Sequence, residues 1–529
     1  VLKILKHAAT KEHDLIEHHV DIAIMGAGMG GVAAALAACD AGCTVVLTEP
    51  TSWIGGQITS QGVSALDEHA HIEHFGGTRS YMAMRDAIRR HYQTQYGVER
   101  MPDGAPLNPG DGWVSRLCFE PRAGLQVLQD MLAPHVAGGR LTILLDHEPV
   151  SAVVESNRVI SVETRCFASL QSTLIRAQYF LDATELGDLL PLTRTAYATG
   201  AESRLDTKEA GALPQPEPRM IQGFTFPFAV EYCEGESHVI EKPHDYERMR
   251  DAQPYTLTLK HKDGSPRPFK MFDAGEVGLP FWTYRRLLSA QLLDPQGKHG
   301  RRDVAMINWN SNDYHWRSII DVPEQQRDEI LEEAKRLSLG FLYWLQTECP
   351  RDEGGFGYPE LKLRPDVMGT EDGLSMAPYI RESRRIIALK RILSHEILAA
   401  SRPDAKQAAF EDSVGVGWYP MDLHPAVGNA NSLFEPTLPF QIPLGSLIPI
   451  KTHNLIAANK NIGTTHLSNG SYRLHPVEWN IGESAGVLAA MCCACGKTPR
   501  EIRESSALFA QLQDRLRERG VPLNWNPVL

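Results

Sequence analysis

The 529-residue sequence has no apolar run near the roughly 20 residues that a membrane-crossing helix needs. Its longest, SAGVLAAMCCACG at residues 484–496, stops well short, and no membrane span is expected. It has no basic excess: 53 Lys and Arg stand against 65 Asp and Glu, a formal net charge of −12. With no surplus of cations to neutralise phosphates, nucleic acid is not an expected partner. Cysteine is sparse, nine in all, odd in number and mostly dispersed. That excludes a disulfide framework and points to a reducing, cytoplasmic setting. Metal-ligand spacing is missing too. His69, His71 and His74 lie two and three apart, unlike the HExxH helix pattern, and Cys492, Cys493 and Cys495 have no histidine partner nearby, so no metal is expected.

What is present is ordinary for a globular protein: 43% hydrophobic and 22% charged residues. The length suggests two to four domains or one large composite. The opening VLKILKHAATKEHDLIEHH lacks the apolar core of a signal peptide. Its Leu2, Ile4, Leu5 and Ala8 predict a short lead-in helix.

The first strong signal is VDIAIMGAGMGG, residues 20–31. Val20–Met25 reads as a buried parallel strand, Val32–Gly42 as an Ala-rich helix closed by glycine, and Cys43–Glu49 as a second buried strand ending in an acid. This is the βαβ frame that a GxGxxG turn requires to bind a dinucleotide. Gly26 permits the tight turn, Gly28 lets the backbone approach a pyrophosphate, and Gly31 lets helix and strand pack closely. Met29 and Gly30 supply helix N-terminal N–H groups to the same phosphates. Glu49, 18 residues beyond Gly31, can accept hydrogen bonds from a ribose diol and disfavours a 2′-phosphate. NAD and FAD both satisfy this frame.

Further along, GGQITSQG (Gly55–Gly62) follows Glu49 and Pro50 with a glycine pair and a polar tail of Gln57 and Gln61. Leu141–Cys166 and Thr173–Leu190 read as short strands with hairpin breaks, the last ending in DATELGD. Residues 200–370 are irregular, with a helix at Pro323–Cys349 and a polar, aromatic stretch DVAMINWNSNDYHW (Asp303–Trp316) that suits a substrate pocket or a structured loop. Met376–Leu393 carries Arg381, Arg384 and Arg385, which read either as one cation facing a cofactor or anionic substrate or as the solvated face of a helix. The second strong signal is Thr452–Gly496: a buried strand NLIAAN, a polar loop, then a long small-residue helix.

Taken together, WIGGQITSQG, DATELGD, PYIRESRRI, QIPLGSLIP and NLIAANKNIGTTHLSNGSYRLHPVEWNIGESAG resemble the bacterial FAD-dependent oxidoreductase family. That family is distantly similar to fumarate reductase flavoproteins and shares the glutathione-reductase-type FAD fold. The resemblance is good over residues 18–200 and 370–500 and loose between them. It implies FAD, an α/β fold with a Rossmann-like parallel sheet and a β-meander, and an inserted α+β cap domain. The implied organisation is a lead-in segment at 1–19, the FAD-binding domain at 20–200 and 401–500, a substrate or cap domain at 201–400, and a C-terminal helix and tail at 501–529. It implies that Gly26, Gly28, Met29, Gly30, Gly31, Glu49, Pro50, Gly55, Gly56, Gln57, Gln61, Gly62, Val150, Ala183, Thr184, Gly187, Asp188, Asn461, Asn480 and Ile481 contact FAD.

Some classes are excluded by what is missing. There is no second glycine turn for a separate NAD(P)H domain, no CxxxxC redox pair near the flavin, and no aromatic-hydroxylase GD motif in the C-terminal FAD segment. The expected chemistry is hydride transfer between a small organic substrate and flavin N5, with an unidentified electron acceptor. An oxygen-using oxidase or monooxygenase, and a flavin-binding protein without turnover, stay open as alternatives, as does association of copies. The candidates for acid–base work are His424, His466, His475, Tyr314 and Asp313, with Arg381 and Arg473 to orient a carboxylate or stabilise charge.

Overall fold

A computed structural model describes residues 16–260 and 265–525; the expected lead-in helix falls mostly outside them. Residues 16–19, expected to end that lead-in, instead open the first strand, β1 (Ile16–Met25). Its exposed first half pairs with residues 173–176, while Ile22–Met25 are fully buried.

After β1 come α1 (Met29–Asp40), β2 (Val45–Glu49), α2 (Arg79–Tyr96), α3 (Pro121–Ala137), β3 (Leu141–Leu145), β4 (His147–Glu155), β5 (Arg158–Cys166) and β6 (Ser172–Asp182). The main sheet runs β3-β2-β1-β6, all parallel, with the strand Leu455–Ala457 joining β6 at its C-terminal end. β4, β5 and the first half of β6 form the antiparallel meander. The mixed α/β fold is the one expected. Its register places Met25, Asp182 and Ala457 side by side. The C-terminal ends of the three central strands therefore open on one rim, where ligands bind in open α/β sheets.

The helix α1 starts at Met29, not Val32, so Gly30 and Gly31 lie inside its first turn. All of Met29–Cys39 is buried, as expected of a helix that is apolar all round. The long C-terminal helix, His475–Cys495, lies across it. The two backbones meet at small residues: a side chain on Gly482 would overlap the Gly30 carbonyl, and one on Gly486 would overlap Ala34. Gly482→Ala should therefore destabilise the protein by about 1–3 kcal/mol through overpacking. Thermal unfolding checks this, and an unchanged midpoint would sink it.

A second apolar core lies in the middle of the chain and is rich in aromatics, among them Phe228, Trp282, Trp309, Tyr314 and Phe341. It packs the helix Glu324–Thr347 with a four-stranded antiparallel sheet of order 286–288, 304–307, 228–232, 361–363. The Met376–Leu393 stretch is not a helix. It is largely irregular, with one short strand at Arg385–Ile386, and its three arginines are buried in ion pairs.

Candidate functional site

At the rim of the parallel sheet, each glycine of the first turn has a distinct physical reason. Gly26 has φ +95°, a conformation that strains any other residue, and a side chain there would overlap the Ala183 carbonyl. A side chain on Gly30 would overlap the Ala458 carbonyl, and one on Gly31 the Gly26 carbonyl. Those two glycines serve packing. Gly28 differs. Its φ of −61° suits any residue, and the nearest atoms to a Cβ would be side-chain ends: Glu185 Oε1 at 2.6 Å, Glu478 Oε1 at 3.5 Å and Asn459 Nδ2 at 3.7 Å. Nothing in the protein's own backbone requires glycine there, and a glycine at this place leaves room for close approach of a ligand.

The N-terminus of α1 has no side-chain cap and no acid in its first turn. It takes a carboxylate from 448 residues away: Gly30 N donates to Glu478 Oε1 at 3.4 Å. Glu478 also accepts from Gln57 Nε2 and lies 3.6 Å from Lys460 Nζ, which pairs with Glu185. Burial pushes the Glu478 carboxyl up to about 7, with Lys460 pulling the other way. An anion at a helix N-terminus beside a lysine occupies the kind of place that a phosphate takes.

Glu49 ends β2 with Oε2 accepting from Ala27 N at 3.2 Å and Oε1 from Thr51 Oγ1 at 2.7 Å. Burial lifts its carboxyl to about 8. Around the two glycine turns, Gln57 Oε1, Gln61 Oε1 and Glu185 Oε1 are buried without a protein partner, at a cost of about 1–3 kcal/mol each. Gly55 and Gly56 both have positive φ, and a side chain on Gly56 would press on Gly28 Cα. These residues fit a dinucleotide. Gly28 and the α1 N-terminus suit the pyrophosphate, with Lys460 as a cation, and Glu49 suits a ribose diol.

The other expected cofactor residues divide. Ala183 donates its N–H to Met25 O, Thr184 bonds Asp182, Gly187 has φ +67°, and Asp188 pairs with Arg384. Asn461 ties Asp182 O to the residues after the strand Leu455–Ala457. Gly62 has φ +72° beside Met368, and Pro50 is exposed. Val150 is half-buried at the bulge where β4 skips register between Pro149 and Ser151. The Asn480 side chain bonds Val416 O and accepts from Ser484 Oγ, beside the strand Ser413–Gly417. Ile481 is core. Lys460, Glu185 and Glu478 escaped sequence reasoning. Lys460 just past a parallel strand's C-terminal end was the one readable signal.

Glu478 gives a pH prediction. A buried acid held near 7 takes up a proton that the unfolded chain, near 4.5, would release. Its penalty is absent below pH 4.5, grows above it and is complete above about 7. Glu49 at about 8 and Asp182 at about 7 act in the same direction. Cofactor-free protein should lose thermal stability from pH 5.5 to 8, and Glu478→Gln should flatten part of that fall. Identical slopes in the two proteins would contradict the account.

The acid–base candidates separate sharply. Asp313 is fully buried and accepts at Oδ1 from Arg381 (2.8 Å) and at Oδ2 from His424 Nδ1 (2.5 Å). Burial pushes its carboxyl up, but the Arg381 charge and His424 hold it far below the usual range. A carboxylate only accepts, so Nδ1 carries the proton and Nε2 is left to exchange one. His424 Nε2 lies 3.6 Å from Asp422, which bonds Arg473 at 3.3 Å. Arg473 also donates to Tyr379 Oη at 3.0 Å, and its carbonyl accepts from Gln57 Nε2 at 3.1 Å. Polar contacts thus lead from Gln57, beside the Gly55–Gly56 loop, to Arg381, with one longer step of 3.6 Å between Asp422 and His424.

His466 repeats the motif: its Nδ1 donates to Glu382 Oε2 at 2.9 Å, and Glu382 pairs with Arg385. Both imidazoles line one cavity of about 200 Å³. The other two candidates stand apart. His475 is fully buried, with Nδ1 accepting from Asp67 N and Nε2 donating to Val63 O. Burial drops its pKa to about 4, so it stays neutral and structural. The Tyr314 hydroxyl is tied to Glu333 and Arg317 in the aromatic core. Arg381 is saturated by Asp313, Thr225, Asn308 and Gly223 O except at Nε, so it braces the carboxylate and faces no open anion site. Glu382 and Asp422, the partners sequence reasoning missed, carry no local pattern.

Comparison with known proteins adds the following. A family profile described as FAD dependent oxidoreductase matches residues 21–516. Among curated proteins, none matches. Solved structures with a similar fold include the FrdA chain of E. coli quinol fumarate reductase, at 12% identity and TM-score 0.32, covering 96% of this chain and 74% of that one. Another is the p-nitrophenol 4-monooxygenase PnpA from Pseudomonas putida, at 10% identity and TM-score 0.35, covering 97% and 91%. A third is the glycerol-3-phosphate dehydrogenase from Bacillus halodurans complexed with FAD, at 13% identity and TM-score 0.28, covering 66% and 55%.

Proposed function

From the premise that this chain belongs to the FAD dependent oxidoreductase family, we propose that it is a dehydrogenase or reductase for a small organic substrate, with His424 as its acid–base group. Its residues 20–200 and 401–500 hold FAD and residues 201–400 cap the substrate. When bound, FAD supplies the two-electron chemistry, taking or giving a hydride. The chain supplies the proton. In the oxidative direction His424 Nε2 takes the proton of a substrate hydroxyl; in the reductive direction it returns one. Asp313 fixes the ring's tautomer and steadies the imidazolium, and Arg381 keeps Asp313 ionised.

The observation that carries this reading is the buried Arg381–Asp313–His424 relay, whose imidazole lines the cavity of about 200 Å³. A buried acid beneath a partly exposed histidine is the usual way of building a proton donor that works near neutral pH. The nine unpaired cysteines support a reducing, cytoplasmic setting. The test is anaerobic mixing of the holoprotein with candidate substrates, followed by admission of air. Bleaching of the flavin bands that persists for minutes in air supports a dehydrogenase or reductase. Reoxidation within seconds would move the assignment to an oxidase or monooxygenase.

A further inference from the structure

The cavity beneath His424 and His466 has a chemistry of its own. It is lined by those two imidazoles, by Glu202 and Glu209, by the neutral polar Asn429, Asn431 and Ser432, and by apolar side chains such as Met220 and Leu467; among the described residues no arginine or lysine lines it. The two guanidiniums behind it are already taken. Arg381 is bound to Asp313, and Arg385 to Glu382 and Glu202, with both arginines at most 2% exposed. Around the cavity four carboxylates, Glu202, Glu209, Asp313 and Glu382, outnumber these two cations.

Glu209 is the telling residue. It is 1% exposed, and its Oε1 accepts from Ser394 N at 2.6 Å and Thr465 Oγ1 at 2.9 Å. Its Oε2 is buried with no partner among the described residues. A buried acceptor left bare costs free energy until something donates to it. The imidazoles are held in a similar way: both Nδ1 protons are spent on carboxylates, which leaves Nε2 of each ring for a ligand, that of His424 with Asp422 3.6 Å away. The charged part of the wall therefore offers acceptors and negative charge, while Asn429, Asn431 and Ser432 can both donate and accept.

We infer that the cavity takes a small molecule bearing several hydroxyl groups and no negative charge, one hydroxyl donating to Glu209 Oε2 and another to His424 Nε2, and that it rejects carboxylates and phosphates. This rests on the acid–base reading of His424, and it departs from the sequence-level expectation that an arginine here orients a carboxylate. An anion would meet four carboxylates with no free cation to pair with, which is how a site excludes a wrong ligand. Oxidation of such a substrate balances simply: the carbinol C–H leaves as hydride to the FAD that the family binds, the O–H proton goes to His424 Nε2, and a carbonyl remains.

The test uses holoprotein and a matched set on one six-carbon skeleton: glucose, gluconate, glucosamine and glucose 6-phosphate. Equilibrium binding is followed by calorimetry, alongside the flavin spectrum under anaerobic conditions. Glucose should bind at least about tenfold more tightly than gluconate and the phosphate. Glu209→Gln should weaken glucose by about tenfold, through its lost acceptor charge, with FAD content unchanged. Gluconate or the phosphate binding as well as glucose or glucosamine would overturn the inference, as would indifference to Glu209→Gln, or binding by none of the four. Binding of glucose without bleaching of the flavin would count against the hydride-transfer reading alone. Bleaching by a carboxylate instead would leave that reading standing and sink this one.

Discussion

Gly28→Val should purify folded and colourless, with FAD affinity reduced by at least about 100-fold, while the wild-type protein retains the cofactor. The argument turns on what surrounds each glycine. At Gly28 the backbone is ordinary, and the nearest atom to a new side chain is the mobile Glu185 carboxylate, so the fold has no reason to object. A side chain there stands where a pyrophosphate must approach the α1 backbone. Losing that contact forfeits the charge-assisted hydrogen bonds of the helix N-terminus, and each 1.4 kcal/mol lost is a factor of ten. The control is Gly31→Ala. There the added Cβ overlaps the Gly26 carbonyl, so the damage should appear in the fold itself, as about 1–3 kcal/mol or more of lost stability. Flavin release and a circular dichroism melt on both proteins separate the two. A yellow Gly28→Val protein would show that the turn binds no phosphate.

His424→Gln should slow substrate-driven flavin reduction by about 10²- to 10⁴-fold, the usual worth of a positioned acid–base group. FAD content and reduction by dithionite should not change, because His424 joins the Gly55–Gly56 loop only through Asp422 and Arg473. Asp313→Asn is the companion experiment. It keeps the shape but removes the charge that fixes the His424 tautomer and steadies its protonated form. Its defect should therefore be a changed pH profile of the reductive rate as well as a lower maximum. Because Asp313 also pairs with buried Arg381, the variant should lose stability too, by about 3–5 kcal/mol for an uncompensated buried charge. Single-turnover rates across pH, read beside thermal melts, divide the two effects. A His424→Gln protein that reduces at the wild-type rate would remove His424 from the chemistry.

The two predictions differ in how far the sequence could reach. The Gly28 turn was legible because strand, turn, helix and acid are contiguous, and each step is a local matter of backbone geometry and periodicity. The same holds for the return of β6 beside β1, signalled by an apolar strand ending in DATELGD, and for the strand and small-residue helix after residue 454. Less local features were misjudged. The Met376–Leu393 stretch has helical spacing, yet its backbone is drawn out so that Arg381, Arg384 and Arg385 can each bury a guanidinium against a different acid. His475 opens a helix beside the glycine loops, and only its two buried backbone partners show that it is inert.

The sequence by itself determined the parallel sheet, the dinucleotide turn and the FAD that goes with it, because those depend on neighbours along the chain. It also supplied His424, His466 and Asp313 as residue types able to move protons. The tertiary structure alone decided which of them meet. Asp313 reaches His424 across 111 residues, Glu382 reaches His466 across 84, and Glu478 caps α1 from 448 residues away. Such pairings are set by packing and by the cost of leaving a buried charge unpaired, and neither cost is written in any one segment.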